Sequence, residues 1–266
     1  MFVAKGIPHP PELILKALDL RAEGRTIPAV AETLEIPRAT VALWSRGVLP
    51  REVRTRLAGW PPTRPCARCR GLDHREKPES RAYAYLLGAY LGDGCLHRAE
   101  RTVSLSFACD AKYPDIIDEL RTAIALVVHG KRSSLWRRRD SRCSTVRAYG
   151  KAWLCLFPQH GPGRKHQRRI VLEPWQQEIV DLQPEPFIRG LIQTDGWRGM
   201  NRVFVKGRWY EYPRYQFSSR SDDIRRLFTD ACDRIGVAWR PWGRWHISVA
   251  RRASVARLDE FVGPKS

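Results

Sequence analysis

The sequence predicts an α+β fold: two pseudo-symmetric αββαββα repeats with antiparallel sheets, preceded by a small all-α helix-turn-helix unit. Three observations carry this expectation. "YLLGAYLGDG" at residues 85–94 returns as "FIRGLIQTDG" at 187–196, 102 residues later. After each copy, apolar periodicity alternates between the strand period of two and the helical period of 3.6 in the same order. Residues 11–48, by contrast, have helical spacing only.

The elements follow in chain order. Leu13, Ile14, Ala17 and Leu18 mark a first helix ending at Gly24; "TIPAVAETLEIPRATVALWSRG" then gives a helix led by Pro28, a turn at Glu35-Ile36-Pro37 and a helix ending at Gly47. Ala31 is small enough for the helices to close, Ile36 plugs the turn and Val41 faces the core. Residues 1–48 thus read as a helix-turn-helix domain whose exposed Arg38, Thr40, Ser45 and Arg46 would meet a DNA major groove. A helical hairpin that packs on the rest of the chain is the alternative.

Residues 49–80 read as a Pro-rich linker. Within it, Cys66 and Cys69 have zinc-knuckle spacing and His74 offers a third ligand, but a structural zinc takes four and no second CxxC follows. The other reading is a pair of reduced thiols.

Residues 81–172 form the first repeat: motif helix, strands around 95–108, a helix over 114–128, strands around 132–148 and a short helix near 151–157. Residues 173–266 form the second: motif helix, strands near 201–205 and 209–218, a helix over 221–235, strands near 237–241 and 244–249, and a helix over 253–262.

Each duplicated stretch ends an apolar helix on Asp-Gly, with Gly94 and Gly196 expected in the left-handed region that glycine tolerates after a helix. Asp93 and Asp195 then sit at the negative end of a helix dipole, where a carboxylate is disfavoured by up to about 1 kcal/mol. No Lys or Arg precedes either Asp within the last turn, so a bound cation is expected to compensate. Gly88 and Gly92, like Gly190 and Thr194, are four residues apart and give each helix a narrow face. Two helices packed in parallel through such faces would bring the two carboxylates together as a pair suited to Mg²⁺ or Mn²⁺. Ordinary polar helix ends are the bland alternative.

"LLGAYLGDG" (86–94) and "IRGLIQTDG" (188–196) resemble the motif of the LAGLIDADG homing endonuclease family in its single-chain, double-motif form. The resemblance places the family's central Gly on Gly88 and Gly190 and its metal-binding acid on Asp93 and Asp195; its earlier acidic position is Leu91 in one copy and Gln193 in the other. It implies saddle-shaped sheets lying across paired motif helices. It also implies a basic residue near each carboxylate, and "LCLFPQHGPGRK" and "LDEFVGPK" offer Lys165 and Lys265, the latter expected to fray.

Charge agrees with a polyanionic partner. The chain carries 47 Lys+Arg against 28 Asp+Glu, a formal +19, and residues 131–170 alone hold twelve basic residues against Asp140. Trp136, Val146, Tyr149, Trp153 and Leu156 interleave with those charges, as on a folded basic surface that includes Arg137 and Arg139. Alternation in "NRVFVKGRWYEYPRYQF" puts Arg202, Phe204 and Lys206 on one face and Val203 and Val205 on the other, with Arg214 and Gln216 further along. In "GRWHISV", Trp245, Ile247 and Val249 point inward and Arg244, His246 and Ser248 outward. Such strands could read base edges in double-stranded DNA, or be solvated faces of half-buried strands.

No apolar run is long enough to cross a bilayer, no signal peptide is visible, and seven Cys are scattered without a disulfide framework. A cytoplasmic monomer without membrane contact is expected, and the excess of Arg over Lys hints at a bacterial source. The start at Met1 and the "GPKS" ending do not suggest an intein. The expected activity is Mg²⁺-dependent, site-specific hydrolysis of both strands of a long asymmetric duplex. A non-cleaving DNA-binding transcriptional regulator on the same scaffold is the rival, and an RNA-splicing helper stays open.

Overall fold

The computed structural model describes residues 9–50, 53, 78–137 and 141–265; Cys66, Cys69, His74 and Arg139 lie outside these. Helices α1 (Pro11–Ala22), α2 (Ile27–Thr33) and α3 (Arg38–Ser45) form an N-terminal unit around Ile14, Ala17, Val30, Ala31, Ile36, Val41 and Trp44, joined by Leu49 and Val53. Thr26 caps α2 by accepting from the Ala29 amide, and Glu35 turns the chain with φ 54° before Ile36 plugs the core. The unit docks through the end of α3: Gly47 has φ +76°, and a Cβ there would lie 2.9 Å from the Lys131 carbonyl oxygen.

Two four-stranded sheets follow. In the first, β1 (Cys95–Arg98), β2 (Val103–Asp110), β3 (Ser134–Arg137) and β4 (Cys143–Tyr149) pair antiparallel in the order β1-β2-β4-β3. In the second, β5 (Gly196–Val205), β6 (Arg208–Ser218), β7 (Arg240–Trp242) and β8 (His246–Val249) repeat that order as β5-β6-β8-β7. Helix α4 (Ser80–Leu91) leads the first repeat, with α5 (Pro114–Val127) between strand pairs and α6 (Trp153–Leu156) after them. After the intervening α7 (Pro174–Leu182), α8 (Pro184–Asp195) leads the second repeat, completed by α9 (Asp222–Arg234) and α10 (Arg252–Asp259). The αββαββα order holds in both repeats.

One helix departs from the sequence reading. The sequence reading assigns no element to residues 174–182, where α7 buries Gln176, Ile179 and Val180 of "PWQQEIVDL". Its Gln176 nevertheless donates to the buried Tyr83 hydroxyl at 2.6 Å, fastening α7 to α4. Strand β5 also starts five residues earlier than its alternation suggests, directly at the end of α8.

The core lies where α4 and α8 cross between the sheets. Every residue of α4 from Ala82 to Leu91 is buried, consistent with an all-apolar helix at the centre of a domain. A Cβ on Gly88 would run into the Phe187 carbonyl oxygen and one on Gly190 into that of Tyr85, so the backbones touch where those glycines sit. Leu105, Phe107, Val146 and Ala148 of the first sheet, and Tyr215, Phe217, Ile247 and Val249 of the second, turn inward onto the helices. The opposite sheet faces are open.

Among the described residues, no helix is long and apolar enough to cross a membrane.

Candidate active site

The parallel packing of α4 and α8 brings their C-terminal ends together. A Cβ on Gly92 would strike the Thr194 side chain and approach Asp195 Oδ2 to 3.5 Å. Neither Gly94 nor Gly196 is left-handed, contrary to the sequence expectation. Glycine is needed there for space: a Cβ on Gly94 would lie 2.5 Å from Tyr90 Cα, and one on Gly196 2.6 Å from Ile192 Cα.

The positive charge missing from each helix comes from elsewhere in the chain. Lys165, in a 3₁₀ turn at 165–167, sends Nζ to the carbonyl oxygens of Gly92 at 2.5 Å and Gly94 at 2.8 Å, and also to that of Tyr90. Lys265 Nζ donates to the Thr194 carbonyl at 3.3 Å, so this lysine is held in place and not frayed. Each ammonium therefore meets the negative end of one helix, as the dipole favours.

The four charges perturb one another. Burial, then the Asp93 charge, lifts Asp195 to about 6 against the pull of Lys165 and Lys265. Asp93 is open to solvent at one edge yet surrounded closely enough that burial raises it too, with both lysines opposing. Burial brings Lys165 down to about 8 despite Asp195 and Asp93, and burial also lowers Lys265. Two crowded carboxylates whose ionisation is disfavoured fit a hard divalent cation, which would relieve their repulsion. Among the described residues no group of three or more His, Cys, Asp or Glu gathers, so the donor set suits an ion that keeps waters and takes substrate oxygens, not a closed structural zinc.

Behind the carboxylates lies a polar network that sequence reasoning misses. Arg189 grips Glu119 with Nε–Oε1 at 2.7 Å and Nη2–Oε2 at 2.8 Å, while its Nη1 caps the Phe261 and Val262 carbonyls. Gln193 donates to Glu119 at 3.0 Å and accepts from Tyr85 at 2.7 Å. This side chain, at the second motif's departure from the acidic consensus, ties α8 to α4 and α5.

Strand register sorts the sheet residues. Cys95, Ser106, Arg147 and Ser134 form one row on the open face of the first sheet; Ala108, Thr145 and Trp136 form the next. On the second sheet the matching rows are Trp197, Gln216, Ser248 and Arg240, then Ser218, His246 and Trp242. Arg214 shares this face and is held in place: Nε donates to Ser248 at 3.0 Å, Nη1 to Asn201 at 2.8 Å, and the guanidinium lies 4.8 Å over Trp242.

Several expected positions differ. Arg202 stands opposite Glu211 and pairs with it at 2.6 Å, on the other face from Arg214 and Gln216. Lys206, with φ 48°, is in the two-residue turn with Gly207 and not in the strand. Arg244 is likewise in a turn, 5.2 Å over Trp245, and Ser248 is buried under Arg214. Arg137 stands opposite Ser144, on the same face as Leu135 and Val146 and away from the open face. Arg147, which sequence reasoning does not single out, is on that face, and its alternation with buried Val146 and Ala148 was the available signal. In the N-terminal unit Arg38 is exposed and Thr40 half-buried, but Ser45 is buried without a partner for Oγ, and Arg46 faces Arg121 of α5.

No protein-family model and no curated protein matches this chain. Solved structures do. A mesophilic variant of the homing endonuclease I-DmoI is similar at 12% identity and TM-score 0.46, over 69% of this chain and 96% of that one. I-DmoI in complex with DNA and Mn is similar at 13% identity and TM-score 0.45, over 69% and 97%. The meganuclease I-SmaMI bound to uncleavable DNA is similar at 10% identity and TM-score 0.43, over 69% and 83%.

Proposed function

We propose that the chain is a metal-dependent, site-specific DNA endonuclease that hydrolyses one phosphodiester in each strand of a long asymmetric duplex. The observation that carries this reading is the meeting of two crowded carboxylates and two lysines at the abutting ends of α4 and α8, between two open sheet faces. The open faces supply Arg147, Arg214, Arg240, Gln216 and three exposed tryptophans, Trp136, Trp197 and Trp242, a surface for phosphates and base edges.

Asp93 and Asp195 would hold a divalent cation such as Mg²⁺ or Mn²⁺, which when bound polarises phosphoryl oxygen and acidifies water. The chain's own residues do the rest. Lys165 and Lys265 offset negative charge as it builds on phosphorus, from positions fixed by the helix-end carbonyls. The network of Arg189, Glu119 and Gln193 holds the second helix in register with the first. The long β5–β6 hairpin extends the groove-facing surface on one side only, which suits an asymmetric target. The reading takes the protein as a monomer acting in the cytoplasm, with the N-terminal helices as a second DNA-contacting unit.

A non-cleaving DNA-binding regulator is the second reading. It draws on the same site: Lys165 already satisfies three carbonyls at the helix end, so the scaffold closes without metal. Cleavage of a randomised duplex pool with Mg²⁺ separates the two. Sequence-specific double-strand cuts, lost in the Asp93→Asn, Asp195→Asn double variant while binding persists, support the nuclease. Specific binding without cuts in Mg²⁺ or Mn²⁺ supports the regulator.

A further inference from the structure

The two halves of the site are not chemically equivalent, and the difference falls on one strand row. Following register from the motif glycines, Ala108, Thr145 and Trp136 occupy the stations that Ser218, His246 and Trp242 occupy in the second repeat. The tryptophans match, whereas a histidine stands on the Asp195 side alone. Its ring is fixed: Nδ1 lies 2.6 Å from Ser218 Oγ and 3.0 Å from Gln216 Nε2, and the ring is 5.4 Å from that of Trp242. An amide N–H directed at Nδ1 makes that nitrogen an acceptor, so the neutral ring carries its proton on Nε2.

That ring lines a cleft of about 300 Å³ whose wall also includes Lys165, His166, Asp195, Ser218, Ser219 and Arg220. The cleft joins the carboxylate end of α8 to the open face of the second sheet. All its charged side chains except Asp195 are basic, which suits an anionic oxygen. The structure holds His246 where its free N–H can serve a group bound beside Asp195.

We infer that His246 Nε2 donates a hydrogen bond to a non-bridging oxygen of the phosphate cut on the Asp195 side, and that no counterpart serves the other strand. This rests on the nuclease reading and deepens it: the chain would cut its two strands by unequal means, one assisted by His246 and one not. Ser218 and Gln216 are positioning residues that act through the ring. No proton changes hands in this role; the hydrogen bond strengthens as charge builds on the oxygen.

The test uses the full chain and a duplex recovered from a randomised pool by the wild-type protein, with a different fluorophore on each strand. Cleavage of each strand is timed separately in Mg²⁺ for the wild type and for His246→Ala, His246→Gln, Ser218→Ala and Thr145→Ala. Loss of one preorganised donor should slow one strand about 10- to 100-fold in His246→Ala and leave the other within about twofold, so nicked duplex accumulates. His246→Gln, whose amide can donate, should restore most of the rate, and Ser218→Ala should give the same bias at smaller size. Thr145→Ala, at the matching station of the other repeat, should not reproduce the slowing of the Asp195-side strand seen in His246→Ala. Slowing of both strands together, or of neither, overturns the inference. A wild-type chain that binds the duplex but cuts neither strand overturns the nuclease reading itself, and that result is distinguishable from the others.

Discussion

Lys165 and Gly92 are 73 residues apart in sequence, yet the lysine's ammonium lies 2.5 Å from the glycine's carbonyl oxygen at the end of the first motif helix. The burial of Lys165 at this helix end sets one limb of the expected pH dependence. On the proposed nuclease reading, cleavage needs Asp195 ionised, which burial and Asp93 delay to about 6, and Lys165 charged, which burial limits to about 8. The rate should therefore rise through about pH 6, level off and fall above about pH 8, the groups titrating as one coupled cluster. Lys165→Arg keeps its charge and should lose the alkaline fall. A profile with the same upper limb in that variant would assign the limb elsewhere.

The metal-free protein should show the same strain as stability. Asp195 has a folded pKa raised above its unfolded one, so its contribution is fully present below about pH 4 and is lost as pH rises through about 6. Asp195→Asn removes that loss and should raise the melting temperature at pH 7.5 in EDTA. Millimolar Mg²⁺ should stabilise the wild type at pH 7.5, do little at pH 5, and do less for the variant. Calorimetry across the three conditions checks all of it.

Gly88, like Gly190, cannot take a side chain without moving the helix pair, because the atom that a Cβ would meet is a carbonyl oxygen of the facing backbone, that of Phe187 for Gly88. Side chains can rotate aside, but two helix backbones move only together. Gly88→Ala should cost about 3 kcal/mol or more, at the upper end of overpacking penalties. Urea unfolding measures it, and an unchanged midpoint would mean that the helices are not in contact there.

Much of this was legible because duplication constrains both copies at once. The repeated Asp-Gly endings located Asp93 and Asp195, and the four-residue spacing of Gly88 with Gly92 and of Gly190 with Thr194 marked the contact face. Strand faces were legible where one side is buried, as at Ile247 and Val249. They were not legible in the β5–β6 hairpin, where Phe204 is 59% and Val205 48% exposed. That ribbon runs past the rest of its sheet, so hydrophobicity does not distinguish its two faces, and Arg202 was assigned to the wrong one. Ser45 differs for another reason: it is buried two residues before Gly47, which abuts the Lys131 carbonyl, and helical periodicity within α3 cannot report where the helix end meets the rest of the chain.

Register makes Arg202 and Arg214 a direct comparison. Arg214 is preorganised by Asn201, Ser248 and Trp242 on the open face, whereas Arg202 faces the other way and pairs with Glu211. Arg214→Ala should weaken specific duplex binding by about 1–3 kcal/mol and relax preference at one base pair. Arg202→Ala should change affinity less than about threefold, as expected for a solvent-exposed ion pair. Anisotropy titrations at a fixed salt concentration separate the two, and equal losses would place both arginines on the duplex.

The N-terminal helices pose the last test. Residues 9–50 hold five basic and five acidic residues, so the strong positive charge of the chain resides elsewhere. Their contact with the rest runs through Gly47 and Arg46 onto the Lys131 carbonyl and α5, and α5 covers the inward face of the first sheet. The unit therefore packs on the side of that sheet opposite its open face. Gly47→Val combines a strained left-handed backbone with a clash against the Lys131 carbonyl, and should release the unit by about 2–3 kcal/mol while each part stays folded. Hydrogen exchange should then rise at residues 125–131 with the central helices still protected. If duplex affinity is unchanged in this variant, the helices act as a packed accessory. If affinity falls together with Arg38→Ala, α3 meets DNA beyond the segment held by the sheets.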